Sequence, residues 1–256
     1  PRGADAAVMN EHAEQIGDDV LVHRSVAPGE NVITRGEDFR AGTVVLERGR
    51  ALSPRDIGVA AAIGADRVTV AAVPRVGIIS TGNEVVPVTA TPGPGEVRDA
   101  NSYLAGAFVT ERGGRPVYFG IVRDEREALK AAVSSALDTC DVVLVSGGSS
   151  KDERDNTAAV VADLGEVLVH GVALAPGKPT IIGTARKKPV IGLPGHPAST
   201  FVVLVAIVDH LLAAMRGTAV SRRTLSARLK QNIPSTRGRE DYVRVSVRDG
   251  EAVPIF

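Results

Sequence analysis

At 256 residues the chain is about 1.7 times a typical domain of ~150, which predicts one large domain with one or two smaller modules. Apolar residues at 44%, charged residues at 23% and a balance of 30 Lys and Arg against 30 Asp and Glu exclude intrinsic disorder and a strongly basic nucleic-acid-binding surface. The single Cys140 excludes an internal disulfide, the five histidines show no metal-type spacing, and the longest apolar stretch, 201–215, is broken by Asp209 and His210 and is shorter than the roughly 20 residues of a spanning helix, so a cytoplasmic protein without a membrane segment is expected.

The first residues, PRGADAAVMN, lack the basic, apolar and small-residue succession of a targeting peptide. From 20 to 73, β-branched runs (DVLVHRSV, GTVVLERG, RVTVAAV) alternate with turn signals at Pro28-Gly29, Arg35-Gly36 and Ala41-Gly42, which predicts a small β module. Inside it, 52–64 reads as a helix with Ser53 as N-cap and Pro54 at the first helical position.

From Pro74 the rhythm becomes strand, turn, helix, repeated. Strands are expected at 75–80, 117–122, 141–145, 167–169, 180–182 and 190–193. Helices are expected at 101–112, from a capping box of Asp124 with Glu127 to about 137, at 155–164, and from Pro197 to about 215. This alternation predicts an α/β fold with a parallel sheet and helices on both faces. After Gly217 eight basic residues face four acidic ones and the runs LSARL and DYVRVSV alternate, which predicts a third, β-type module. The expected division is 1–73, 74–217 and 218–256, and the strand-like run that closes the chain reads as a portion of a longer protein.

In an open parallel sheet the ligand sits beyond the carboxyl ends of the strands, so the residues after each strand are the informative ones. Three such turns are rich in hydroxyls and glycine: Ser80-Thr81-Gly82-Asn83-Glu84, Ser146-Gly147-Gly148-Ser149-Ser150, and Leu193-Pro194-Gly195-His196-Pro197-Ala198-Ser199. Glycine lets backbone N–H groups approach an anion, Ser and Thr add donors, and a following helix N-terminus adds positive potential. A phosphorylated small molecule is the expected guest. Asp99, Asp124, Asp152, Glu153 and Asp155 would share that rim, either as helix caps or as carboxylates for Mg²⁺ bridged to phosphate. Glu84 follows a buried strand in a glycine turn, and Lys178 sits in the stiff turn Ala175-Pro176-Gly177-Lys178-Pro179, where its ammonium suits an oxyanion. His196 reads as a polar loop residue and Cys140 as core. No nucleophile triad, Walker loop or Rossmann fingerprint is present.

Seven segments in order, GADAAVMNE, PGENVITRGEDFRAGTVVLERGRALSPRDIG, PRVGIISTGNEVV, RDANSYLAGAF, SGGSS with Asp155, PGKP and GLPGHPAS, closely resemble the MoeA-type molybdopterin molybdenumtransferases, which include the gephyrin E domain. The resemblance implies a central three-layer α/β/α domain of the MogA kind, flanked by a mostly β module and the start of a C-terminal β-barrel. It implies a dimer that inserts molybdate or tungstate into adenylylated molybdopterin with Mg²⁺-dependent release of AMP. It also implies contact with a MogA-type adenylyltransferase and with molybdoenzyme maturation factors. The family's acidic positions fall on Asp38, Glu84, Asp99, Asp124 and Asp155, with Asp99 and Asp155 as metal ligands. Its oxyanion-binding lysine and proline fall on Lys178 and Pro179, and its arginine on Arg239 of RGRED. Substrate contacts are expected from Thr81, Gly82, Gly147, Gly148, Ser149, Ser150, Pro194, Gly195, Pro197 and Ser199.

This chain departs from that pattern at Ala175, where many members carry lysine, and at GGSSKD in place of GGVSVG, where Lys151 offers a replacement charge. His196 and Asn83 stand where Asn and Asp are common. Two other readings share the same residues: a non-catalytic molybdopterin carrier or scaffold, and a MogA-like adenylyltransferase, which would lack the flanking β material.

Overall fold

The structure, a computed structural model, describes residues 3–147 and 156–255 in two units, Pro1–Val68 and Thr69–Phe256. In the first, β1 (Ala13–Ile16) and β2 (Asp19–Val22) form an antiparallel hairpin, Ala13 opposite Val22. Helix α1 (Pro54–Ala62) starts as its sequence predicts. Ser53 is the N-cap and accepts from the Asp56 N–H, while the Asp56 carboxylate accepts from the Ser53 N–H and hydroxyl at 2.7 Å each. Arg50 lies 2.8 Å from the other Asp56 oxygen.

The strands expected at 42–49 and 67–73 do not form. A strand is stable only where a neighbour takes up its backbone hydrogen bonds, and among the described residues neither run has one. Val44 is accordingly 75% exposed and Val70 64%.

The second unit is built on a six-stranded sheet of β3 (Arg75–Thr81), β6 (Arg115–Val122), β7 (Val142–Ser146), β8 (Gly165–His170), β10 (Ile181–Ala185) and β11 (Lys188–Leu193), with β4 (Val85–Val86) and β5 (Val97–Arg98) forming a short parallel pair of their own. Their order is β6-β3-β7-β11-β10-β8. The first four are mutually parallel, β10 runs against them, and the edge strand β8 pairs antiparallel with β10, so the expected parallel sheet is corrected to a mixed one. The cause is local. Arg186 and Lys187 join β10 to β11 with φ of 51° and 63°, the two positive angles of a type I′ hairpin, and so short a link permits only antiparallel pairing.

Alternation along the central strands divides the core between the two faces. Val76, Ile78, Val142, Leu144, Ile191 and Leu193 pack with helices α2 (Asn101–Glu111) and α5 (Pro197–Met215). Ile79, Val143, Val145 and Val190 pack on the other face with α3 (Arg126–Thr139) and α4 (Asn156–Leu164). Each buried Ile, Leu or Val of this kind contributes about 1.5–3 kcal/mol.

Two further expectations change. Helix α3 begins at Arg126 with Glu125 as N-cap and no side-chain cap, so the Asp124–Glu127 capping box is not made. The Asp124 carboxylate is instead engaged by Asn156. Helix α5 is 19 residues long and, by length and composition alone, apolar enough to cross a membrane, against the shorter stretch read from the sequence. Its Val203, Leu204, Val208 and Leu212 are buried in the core instead. A π turn over Leu204–Val208 interrupts it, and the Arg222 guanidinium donates to the Val205 carbonyl there at 2.7 Å.

The 218–256 segment supplies β12 (Arg228–Leu229), β14 (Val245–Arg248) and β15 (Glu251–Pro254), which make a three-stranded sheet in the order β12-β15-β14. Within the same segment, β13 (Glu240–Asp241) pairs elsewhere, with β9 (Leu174–Ala175).

The Asp56 hydrogen bonds, first to Ser53 and then to Arg50, hold that carboxyl down at about 2 from a usual 3.8. A depressed folded-state value makes a contribution to stability that is complete above the unfolded value near 3.8 and lost as pH falls through about 2. Thermal unfolding of wild type and Asp56→Asn should therefore differ most above pH 4 and converge towards pH 2. Ser53→Ala should cost ~1 kcal/mol at neutral pH.

Candidate functional site

Four parallel strands, β3, β6, β7 and β11, end on the same edge of the sheet. Helix α2 leaves β3 on one face and α4 follows β7 on the other, so the chain departs in opposite directions from two adjacent strands and opens a crevice between them. Thr81 with Gly82 and Ser146 with Gly147 stand at its mouth.

Gly147 brings the turns together. Its φ is +98°, and a Cβ there would lie 1.9 Å from the Thr81 carbonyl oxygen. Its N–H donates to the Leu193 carbonyl at 3.3 Å and its own carbonyl accepts from the Thr157 hydroxyl at 3.4 Å. Three of the expected turns thus converge on one residue that only glycine can fill. Gly82 has φ +145°, and both Glu84 carboxylate oxygens come within 2.8 Å of where its Cβ would be, so the Glu84 carboxylate folds back over the turn while remaining exposed.

Polar links tie the neighbouring loops to this rim. The Asp124 N–H donates to Asn83 Oδ1 at 3.4 Å, and Asn156 Nδ2 donates to both the carbonyl and Oδ1 of Asp124 at 3.0 Å. The TGNE turn, the end of β6 and the start of α4 are joined in this way. Asp99 is buried, and its Oδ1 accepts from the Ser102 N–H at 3.1 Å. Because Ala100 already has helical angles (φ −89°, ψ −28°), Asp99 serves as the cap of α2.

Asn101, which the sequence presents only as a residue at the start of a helix, bridges two rim loops. Its Nδ2 donates to the Ser146 hydroxyl at 2.8 Å and to the Gly195 carbonyl at 2.7 Å. The Thr200 hydroxyl donates to the Pro194 carbonyl at 2.5 Å and fixes the same loop from below. Ser80 Oγ, Thr81 Oγ1 and Asn101 Oδ1 are buried and have no hydrogen-bond partner among the described residues. Each such atom costs about 1–3 kcal/mol, as much as a buried valine returns, so two at the end of β3 and one at the start of α2 mark a place shaped for something other than stability.

The lysine turn is held separately. The Lys178 carbonyl accepts from the Val172 N–H at 2.9 Å, and the Thr180 hydroxyl donates to the Gly177 carbonyl at 2.6 Å, while the Lys178 side chain stays exposed. Strand β13 runs parallel to β9 with Glu240 opposite Leu174 and Asp241 opposite Ala175. That pairing carries Arg239 to the strand leading into the lysine turn, and Arg239 Nε lies 2.9 Å from Asp241 Oδ1. Burial raises the neighbouring Tyr242 phenol above its usual value, with Glu240 adding to the rise.

Pro194 is buried, Ser199 half-buried, and Gly195, His196 and Pro197 are exposed at the start of α5; Pro179 is half-buried. Gly148, Ser149, Ser150, Lys151, Asp152, Glu153 and Asp155 lie outside the described residues. Asp38 is exposed and belongs to the first unit. No group of three or more His, Cys, Asp or Glu side chains able to hold a metal occurs among the described residues. Asp124 and Asp99 each have one oxygen engaged by a protein donor, and Mg²⁺ needs only one or two carboxylates when phosphate oxygens and water complete its shell. The donor set is thus compatible with a phosphate-bridged Mg²⁺ and not with an all-protein metal cage.

Residues 77–214, more than half of the chain, match the family described as "Probable molybdopterin binding domain", and residues 1–64 match "MoeA N-terminal region (domain I and II)". The chain belongs to the MoeA-type molybdopterin-binding family. It is 32% identical over 249 residues to the molybdopterin molybdenumtransferase of Nostoc sp., covering 95% of this chain and 57% of that protein. It is 30% identical to the enzyme of the same name from Haemophilus influenzae, covering 95% of this chain and 61% of the relative. The crystal structure of a molybdopterin biosynthesis MoeA protein from Pyrococcus horikosii superposes with a TM-score of 0.85 at 37% identity, covering 100% of this chain and 64% of that one. The MoeA-type chain therefore spans about three fifths of the length of these relatives.

Gly147→Ala would force the Thr81 strand end and the Gly147 turn apart. A loss of about 1–3 kcal/mol or more in chemical denaturation is expected, against a near-neutral effect for alanine at Gly195, whose Cβ position is open.

Proposed function

We propose that this chain is part of a molybdopterin molybdenumtransferase, which inserts molybdate or tungstate into the dithiolene of adenylylated molybdopterin and releases AMP. The observation that carries this reading is the convergence of the Thr81-Gly82, Ser146-Gly147 and Leu193-His196 turns at the switch point of the sheet. The names of the relatives support the same chemistry.

In this reading Gly82, Gly147, Gly148, Gly195, Thr81, Ser149, Ser150, Pro194, Pro197 and Ser199 line the phosphate and pterin positions, and backbone N–H groups meet the anion. Lys178, Pro179 and Arg239 hold the tetrahedral oxyanion, a role supported by the β9–β13 pairing, which sets Glu240, next to Arg239, opposite Leu174 on the strand leading into the lysine turn. Asp99, Asp124 and Asp155 would hold Mg²⁺, which when bound neutralises charge on the pyrophosphate link. Glu84 would accept or return a proton at the reacting group, a role supported by its carboxylate lying over Gly82 while open to solvent. Asp38, in the first unit, is the remaining acidic position that the family resemblance implies. The wider assignment goes with it: a cytoplasmic homodimer, a division at 1–73, 74–217 and 218–256 with the last part opening a β-barrel, and contacts with a MogA-type adenylyltransferase and maturation factors.

The test is to mix full-length protein with adenylylated molybdopterin, Mg²⁺ and molybdate or tungstate and follow AMP release. Oxyanion-dependent AMP release is expected, and binding without release would assign the protein to the carrier class instead. Lys178→Ala should weaken the apparent oxyanion affinity by about 10- to 100-fold, the loss of one charge-assisted contact. Glu84→Gln should lower the rate by about 10²-fold or more while leaving substrate binding within a few fold.

A further inference from the structure

Ser80 and Ser146 are paired in register on adjacent parallel strands, and the alternation of β3 and β7 sends both to the face that carries α2 and α5. Asn101, in the first turn of α2, donates one amide proton to Ser146 Oγ and the other to the Gly195 carbonyl. A carbonyl can only accept, so this second bond fixes which end of the amide is nitrogen and leaves Oδ1 as the open atom. Ser80 is 2% exposed and Asn101 8% exposed, and neither Ser80 Oγ nor Asn101 Oδ1 has a partner among the described residues.

Ser80 Oγ can donate or accept, but Asn101 Oδ1 does not suit the anion that the glycine turns attract. Asn101 Oδ1 presents only lone pairs, which repel a phosphate or molybdate oxygen. We infer that Ser80 and Asn101 form a neutral subsite beneath the anion-binding rim that accepts hydrogen bonds from an N–H or O–H edge of the bound ligand. The subsite orients the heterocycle or sugar of the ligand while the glycine turns hold its phosphates. A ligand lacking such an edge leaves both atoms buried and unpaired, which makes the subsite a determinant of specificity as well as of affinity. The inference rests on the reading of this cleft as the site for adenylylated molybdopterin.

Ser80→Ala tests it cleanly, because the hydroxyl it removes has no partner to lose among the described residues. Calorimetric titration of the full-length variant with adenylylated molybdopterin and with AMP, beside thermal unfolding of the ligand-free protein, gives three readable outcomes. The expected result is an unchanged or higher Tm with about a tenfold loss of affinity for adenylylated molybdopterin. An equal loss for AMP places the donor on the nucleotide, and a loss confined to the adenylylated pterin places it on the pterin. Unchanged affinity overturns the inference, and if the Tm falls as well, the hydroxyl holds a resident water. Failure of the wild-type protein to bind either compound overturns the functional reading itself and the subsite with it.

Discussion

The parallel pairing of β3 with β7, from Val76 opposite Val142 to Ser80 opposite Ser146, is the constraint on which the rest of the second unit depends. These adjacent strands send their following helices to opposite faces, so the edge between them has no covering connection. The same pairing makes both core layers, because the residues that alternate along β3 and β7 face α2 and α5 on one side and α3 and α4 on the other. A slip of one residue would exchange the two layers and carry Ser80 and Ser146 to the wrong face.

Stability and function occupy different levels of the same strands. From Val76 to Ile79 and from Val142 to Val145 every side chain is apolar or glycine and buried, which anchors the sheet. The last residues of each strand turn polar while staying buried, and on β3 Ser80 Oγ and Thr81 Oγ1 have no partner among the described residues. The apolar part of the strands offsets that local cost, and the rim inherits the rigidity of the sheet beneath it. Preorganised hydrogen-bonding groups of this kind are held ready for a ligand instead of having to be ordered by it.

The lysine turn follows another logic. It is a loop between β9 and β10, and its backbone is closed by Val172, Thr180 and the pairing of β9 with β13. The segment that supplies β13 also carries Arg222, which reaches back to the π turn of α5. The C-terminal segment is thereby tied to the unit at two points, one on the helix and one on β9, and Arg239 comes beside the strand that leads into the lysine turn through backbone pairing rather than through sequence proximity.

The sequence by itself determined the elements whose signals are local. The Ser53 cap, the buried strands 75–80 and 141–145, the three glycine turns and the order of strand and helix after Pro74 are all read from adjacent residues. The segments that place the chain in its family are equally local. Tertiary structure decided what depends on residues far apart in the chain. The β-branched runs 42–49 and 67–73 have strand propensity but no partner to pair with among the described residues, and the Arg186-Lys187 hairpin lacks the Asn-Gly signature that would announce an antiparallel edge. Asp124 gave its carboxylate to Asn156 instead of to its own helix, and Asn101, a plain helix-start residue in the sequence, became the bridge between two loops because the strand order places Ser146 and Gly195 on either side of it. A polar side chain bonds to whatever donor or acceptor the packed sheet brings within 3 Å, and the one-dimensional spacing of residues carries no record of that distance.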